Sequence, residues 1–129
     1  MIAALWDPRD SLHTWAQEVA ARTAGPWLTC EACVTEMVFL LSGRSGPSAV
    51  LKLFDYLAAG SIRSRHLLPE SMTKVVAEIA RYRDRRVDFA DACLVVLSDE
   101  HPDLPVVTVD RSDFSVYFRG RSPRTLITP

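Results

Sequence analysis

A helix begins within residues 86–94, which read Arg86-Val87-Asp88-Phe89-Ala90-Asp91-Ala92-Cys93-Leu94. Past Asp88, apolar side chains recur at the spacing i, i+3, i+4, i+7 and i+8: Phe89, Ala92, Cys93, Val96 and Leu97. This spacing predicts one buried stripe on a helix. Asp88 and Asp91 lie on a different face, where Asp88 can cap the helix and Asp91 can complement its dipole. Capping alone explains both carboxylates, so a chemical role needs support from elsewhere in the chain.

The whole chain has the composition of one globular domain over residues 1–129. Hydrophobic residues make up 48% and charged residues 24%, enough for a single buried core. The net charge of −1 gives no overall attraction to nucleic acid. No apolar run is long enough to cross a bilayer, and the first residues lack the charged start of a signal peptide. Three cysteines in apolar surroundings, with Cys30 and Cys33 interpreted as packing residues, predict a reduced cytoplasmic protein.

Helical stripes alternate with short apolar runs along the sequence. Helices are predicted within residues 10–23, 34–41, 47–57, 72–79 and 88–97, and strands at 27–29, 61–67, 105–109 and 126–127. Strands separated by helices predict an α/β fold with a mainly parallel sheet. Functional groups in such sheets gather at the carboxyl ends of the strands. Asp110 stands at such an end, in a predicted turn over residues 110–113.

Three acids occupy positions that are unusual for surface residues. Glu36 lies inside an apolar helical stretch, where a lone carboxylate costs free energy unless it is compensated. Asp91 is near a helix start and Asp110 ends a strand. If the fold brings the three together, their repulsion favours a bound divalent cation. Mg²⁺ and Mn²⁺ prefer carboxylates and waters and serve phosphodiester hydrolysis, but each acid also has a capping or surface alternative.

Four segments carry a family resemblance over essentially the whole chain. They are residues 5–10 with His13, residues 35–41, residues 87–92 and residues 107–114. In this order and at these separations the chain resembles a PIN domain, and within that family the VapC ribonuclease toxins of toxin–antitoxin pairs. The resemblance implies a three-layer fold with a mainly parallel central sheet flanked by helices. It also implies a Mg²⁺- or Mn²⁺-dependent endoribonuclease that hydrolyses RNA phosphodiester bonds.

The resemblance assigns expected roles by position. Glu36, Asp91 and Asp110 match the family's catalytic, metal-holding acids. Asp88 matches a commonly acidic neighbour and is a further candidate ligand, and Thr108 matches an accessory polar position.

The resemblance further implies an RNA substrate, a homodimer and a small antitoxin protein that covers the acidic site. The apolar helices predicted within residues 30–41 and 48–57 offer a candidate dimer face, although core packing explains their apolar residues equally well.

One departure from the family concerns the start of the chain. Family members usually begin with a strand that ends in Asp, whereas Met1–Leu5 here matches the apolar run of the first helix. We therefore expect the first strand and its Asp to be missing, either because the true start lies upstream or because both were lost. Because this strand would be central in the sheet, its loss would leave a groove of unpaired backbone groups on both neighbouring strands. One carboxylate fewer predicts weak cation binding and weak or absent activity.

Two other functional classes fit parts of the sequence. A non-catalytic PIN-like module that binds RNA or a protein partner is the main alternative, and retained metal binding would separate the two. A receiver-type signalling domain is also α/β with an acidic pocket. It needs an acidic pair after the first strand and a lysine after the fifth, and the only lysines are Lys52 and Lys74.

Overall fold

A computed structural model describes residues 1–85, 87–121 and 124–129, so Arg86 of the stretch quoted above lies outside the described residues. Helices alternate with short strands, which confirms the predicted α/β class. The elements are α1 (Ile2–Trp6), α2 (His13–Arg22), β1 (Trp27–Cys30), α3 (Glu31–Arg44), α4 (Pro47–Ala58), β2 (Ile62–Arg65), α5 (Met72–Arg81), α6 (Phe89–Glu100), β3 (Val106–Val107), α7 (Arg111–Tyr117) and β4 (Leu126–Ile127), with a 3₁₀ turn at Arg83–Arg85.

The strands form two parallel pairs. β1 pairs with β2, with Trp27 opposite Ile62, and β3 pairs with β4, with Val106 opposite Leu126. No strand pairing joins β1 to β3 within the described residues. The predicted parallel direction of the strands is confirmed. The described residues form two separate strand pairs instead of one continuous sheet.

Helix α6 is the centre of the core. The predicted stripe is confirmed for Ala92, Cys93, Val96 and Leu97, which pack with Cys30, Leu67 and Val75. On its other side Val95 packs with Val106 and Phe114 beside β3. Helix α6 is therefore buried over more of its circumference than the stripe predicts. Phe89 was expected to be buried but is 46% exposed, because it is the first residue of the helix and precedes the part that enters the core.

Helix α3 is less buried than its apolar sequence predicts. Leu41 is its only fully buried residue among those described, Glu36 is exposed and Phe39 is 79% exposed. The interpretation of Glu36 as an acid on a mostly buried helix is therefore wrong. The reason is that α3 packs through one side, against α4, α6 and β1, and its opposite side faces outward.

The segment after β3 also differs from its prediction. The strand expected over residues 105–109 is restricted to Val106–Val107, because only these two residues pair with β4. The turn expected over residues 110–113 is the start of α7. Polar side chains such as Asp and Ser favour turns and helix starts alike, so composition alone did not separate the two. Among the described helices, none has the length and apolar character needed to cross a membrane.

Candidate functional site

A cavity of about 420 Å³ opens between the two strand pairs. One wall contains Trp27–Thr29 of β1 and the other contains Val106–Val109, which include β3. Glu36, Asp91 and Asp110 all line this cavity, although they come from three different helices or helix starts. The structure thus brings the three acids singled out by the sequence to one place.

Two of the predicted site carboxylates are helix caps. Asp88 begins α6, where its Oδ1 accepts a hydrogen bond from the backbone N–H of Ala90 at 2.8 Å. Asp110 begins α7, where its Oδ1 accepts from the backbone N–H of Asp113 and from the Ser112 hydroxyl, both at 2.9 Å. Each cap satisfies a backbone donor that would otherwise be unpaired. Both side chains are thereby held at fixed positions beside Asp91.

Thr108 is buried between β3 and α7. Its Oγ1 accepts a hydrogen bond from the backbone N–H of Asp110 at 3.1 Å. This bond fixes the backbone immediately before α7 and so helps to orient the Asp110 carboxylate. Thr108 therefore supports the backbone at Asp110.

Negative charge accumulates around Asp91. Burial raises the pKa of Asp91 from 3.8 to about 6, and repulsion from Asp88, Asp110 and Asp113 adds to the increase. Glu36 is exposed overall, but partial desolvation of its carboxyl group raises its pKa, and the nearby carboxyl groups of Asp88 and Asp91 raise it further. Each charged group that shifts these two pKa values is another carboxylate. We call these five residues, Glu36, Asp88, Asp91, Asp110 and Asp113, the acidic cluster.

Asp110 is held in its charged form by its cap. The hydrogen bonds from the backbone N–H of Asp113 and from the hydroxyl of Ser112 lower the pKa of Asp110. Asp110 is therefore ionised whenever Asp91 titrates. A fixed negative charge beside a partly buried acid is an arrangement that a hard cation relieves.

The acidic cluster has suitable chemistry for Mg²⁺ or Mn²⁺ but an open geometry. Carboxylate oxygens are the ligands these ions prefer. Within residues 1–85, 87–121 and 124–129, however, no three side chains of His, Cys, Asp or Glu converge closely enough to hold a metal ion. Asp88 and Asp110 each direct an oxygen to their own helix backbone, and an ion would have to draw the acids closer together.

Three residues near the cluster were not predicted as site residues. Tyr117 is buried, and burial together with the charge of Asp91 raises its pKa to about 12. Cys33 and Met1 line the cavity, and burial lowers the pKa of the Met1 amino group. The spacing of Cys33 and Glu36, one helical turn apart, was the available signal for Cys33. No sequence pattern connects Tyr117 or Met1 to the acids.

Comparisons with known proteins agree with the fold. No family model matches the chain. The chain is 26% identical over 114 residues to ribonuclease VapC26 of Mycobacterium tuberculosis, a match that covers 88% of this chain and 84% of that protein. The crystal structure of Mycobacterium tuberculosis VapC20, a Sarcin-Ricin loop cleaving toxin, superposes with a TM-score of 0.70 at 22% identity, over 78% of each chain.

The two comparisons differ in what they establish. The likeness to VapC20 establishes that the α/β fold, with helices around a small parallel sheet, is one that a VapC toxin adopts. Together with the relative named VapC26, it supports the predicted resemblance to VapC and PIN-like proteins.

Proposed function

We propose that this chain is an endoribonuclease of the VapC toxin type that hydrolyses RNA phosphodiester bonds. The observation that carries the proposal is the meeting of Glu36, Asp91 and Asp110 in one cavity. The raised pKa of Asp91 supports it, because a carboxylate pushed toward neutrality by burial and by other carboxylates gains most from a cation. The likeness to ribonuclease VapC26 and to VapC20, a Sarcin-Ricin loop cleaving toxin, supports the same reaction class.

The proposed cofactor is Mg²⁺ or Mn²⁺, held by Glu36, Asp91 and Asp110 with Asp88 as a further ligand. Such an ion polarises a phosphoryl oxygen and lowers the pKa of a bound water, the attacking group. The residues of the chain have separate tasks in this proposal. Asp110 would supply a charge that its cap keeps ionised, Thr108 would orient it, and Asp91 would supply a second carboxylate whose charged form the cation stabilises.

We also propose that the two strand pairs belong to one sheet whose middle strand is missing. The cavity between β1 and β3 supports this, because it follows the strand edges that have no partner among the described residues. In the family the missing strand ends in Asp, so this chain would hold its cation with one carboxylate fewer. We therefore expect weak activity for the 129 residues alone.

The proposal is tested by RNA cleavage with and without Mn²⁺, using the chain and its Glu36→Gln variant. Glu18→Gln is the matched control, because Glu18 is also exposed on a helix but lies outside the acidic cluster. We expect slow, Mn²⁺-dependent cleavage that Glu36→Gln lowers at least about tenfold and Glu18→Gln leaves unchanged. Cleavage that is independent of Mn²⁺ or unaffected by Glu36→Gln contradicts the proposal.

A non-catalytic module that binds RNA or a protein is the second candidate. The observation in its favour is the open geometry, since no three ligands converge among the residues that the structure describes. RNA binding without cleavage, at any Mn²⁺ concentration, would support this alternative.

We propose that the exposed apolar side chains of α3 and α4 form a homodimer face. Phe39 is 79% exposed, Leu51 66% and Phe54 50%, and large apolar side chains of this kind favour association. We expect Phe39→Glu to convert dimers to monomers in sedimentation velocity measurements. Val76→Glu is the matched control, because Val76 is 55% exposed on α5. Unchanged sedimentation of Phe39→Glu, or an equal effect of both substitutions, would show that this face is not the interface.

Two further proposals come from the sequence, one from the resemblance and one from the cysteines. A small antitoxin protein would bind across the acidic cluster and block access of RNA. The site of action would be the cytoplasm, where RNA is available and thiols stay reduced.

A further inference from the structure

The three cysteines form one contact group beside the acidic cluster. Cys30 and Cys93 are buried and Cys33 is partly exposed. The sulfur atoms of Cys30 and Cys33 are 3.5 Å apart, within hydrogen-bonding distance. A disulfide needs a sulfur separation of about 2.05 Å, so the two atoms have to approach each other by only about 1.5 Å. The expectation that these cysteines serve packing alone therefore leaves out a chemical possibility.

The backbone around the pair favours a thiolate. Cys30 is the N-cap of α3 and Cys33 lies in the first turn of that helix. The hydrogen bond between the Cys30 and Cys33 sulfurs, helped by the backbone N–H groups of Cys33 and Ala32, lowers the pKa of the Cys30 thiol to about 7. Helix N-termini stabilise thiolates in this way, and two cysteines separated by two residues at such a position can bridge without moving the backbone far.

Cys33 connects the pair to the acids. Its thiol donates a hydrogen bond to the backbone carbonyl of Ala90 at 3.8 Å, in the first turn of α6 and next to Asp91. Cys33 also precedes Glu36 by one turn of α3, so both side chains project from the same side of the helix. A movement of the Cys33 sulfur toward Cys30 would break its contact with α6 and change the separation of Glu36 and Asp91.

We propose that Cys30 and Cys33 are a reversible redox pair that forms a disulfide with a peroxide and thereby shifts the acidic cluster. Cys33 lines the cavity and is partly exposed, which gives a molecule as small as hydrogen peroxide a route toward its sulfur. The Cys33 sulfur takes one peroxide oxygen, becoming a sulfenic acid while water leaves. The Cys30 thiolate then attacks that sulfur and expels hydroxide, which takes up the proton released by the Cys30 thiol. In total, two thiols and one peroxide give one disulfide and two waters.

The first step is slow and the second fast. The Cys33 thiol has a raised pKa because of its hydrogen bond with Cys30 and its burial, which limits the thiolate available for attack on peroxide. Once the sulfenic acid has formed, the Cys30 thiolate is within 3.5 Å of it. A small thiol reverses the bridge by thiol–disulfide exchange.

The test uses hydrogen peroxide on the folded chain, followed by intact mass, peptide mapping and amide NMR. We expect a loss of two hydrogens in mass, a peptide that joins Cys30 to Cys33, and altered amide shifts at Glu36 and Asp91, all reversed by dithiothreitol. Cys33→Ser should prevent the bridge and the shift changes, and Cys93→Ser should retain them. A bridge between Cys30 and Cys93, oxidation of Cys33 that stops short of a disulfide, or a bridge without shift changes would each overturn the proposal.

The effect on cation binding rests on the proposed function and is measured separately. If the acidic cluster binds Mn²⁺, oxidation should weaken binding about tenfold, which corresponds to about 1.4 kcal/mol. Absence of Mn²⁺ binding in the reduced chain counts against the proposed function, whereas the mass and NMR results decide the redox pair by themselves. A failure of the proposed function can therefore be distinguished from a failure of the redox proposal.

Discussion

A strand-forming extension ahead of Met1 should raise the free energy of unfolding by about 3 kcal/mol, which is what remains of the gain from burying several apolar side chains once the entropy of ordering the strand is subtracted. Met1 lines the cavity between β1 and β3. A segment attached to it would therefore enter the cavity directly, where both neighbouring strands offer edges without a partner among the described residues. About six added residues, apolar and ending in Asp and a small polar residue, match the usual length of a strand. Urea denaturation measures the change.

The control for this prediction is an extension of equal length made of Gly and Ser. It removes the charge of the Met1 amino group, whose pKa is lowered by burial, but it cannot form a buried apolar strand. Any stabilisation shared by both extensions is due to the amino group, and the difference between them is due to the strand. Equal urea midpoints for the two extensions would refute the proposal that the cavity is a strand position.

The same extension provides a second measurement. Its Asp would lie at the carboxyl end of the new strand, near Asp91 and Asp110. We expect Mn²⁺ affinity to rise at least about tenfold over that of an extension with Asn at this position, since the change adds one carboxylate ligand.

The helical spacing predicted the fold well where one side of an element is buried. The stripe Ala92, Cys93, Val96 and Leu97 of α6 is buried as expected, and Asp88 caps that helix. Helix α3 was misjudged because its apolar residues cover more of its circumference than its neighbours can bury. Phe39 therefore remains exposed, and a sequence pattern cannot distinguish such a face from a core face.

The sequence singled out the three acids that line the cavity, but it did not predict how far apart they lie. Strand ends and helix starts indicated where Asp91 and Asp110 would lie, and the apolar stretch around it singled out Glu36. Whether carboxylates approach closely enough to hold an ion depends on the cap hydrogen bonds of Asp88 and Asp110. Those bonds and the separation of β1 from β3 are tertiary features that no local pattern encodes. The contact between the sulfurs of Cys30 and Cys33 was missed because both were interpreted as packing residues.

Replacing Asp91 with Asn should stabilise the cation-free chain at pH 7 and remove its response to Mn²⁺. The pKa of Asp91 is raised from 3.8 to about 6 by burial and by neighbouring carboxylates, so the ionised side chain destabilises the fold. A shift of about two units corresponds to about 3 kcal/mol. Screening by water at this partly exposed site reduces the expected gain to about 1 kcal/mol. Thermal unfolding with and without Mn²⁺ measures both effects.

The pH dependence of folding stability gives the direction of the Asp91 effect independently. Between pH 3.8 and about 6 the folded chain binds more protons at Asp91 than the unfolded chain does. Its contribution to stability is therefore fully present at low pH and is lost as the pH rises through this window. The Asp91→Asn variant lacks this loss, so its stability exceeds that of the parent chain increasingly from pH 4 to pH 7.

Asp103→Asn is the control for this prediction, because Asp103 is exposed in a loop outside the acidic cluster. It removes the same charge and should change neither the pH profile nor the Mn²⁺ response. Burial and the other acids disfavour the ionised form of Asp91. A cation bound at the acidic cluster interacts favourably with that form and therefore stabilises the folded chain. Mn²⁺ should therefore stabilise the parent chain and the Asp103→Asn variant but not Asp91→Asn. Equal stabilisation of all three would place cation binding outside the acidic cluster.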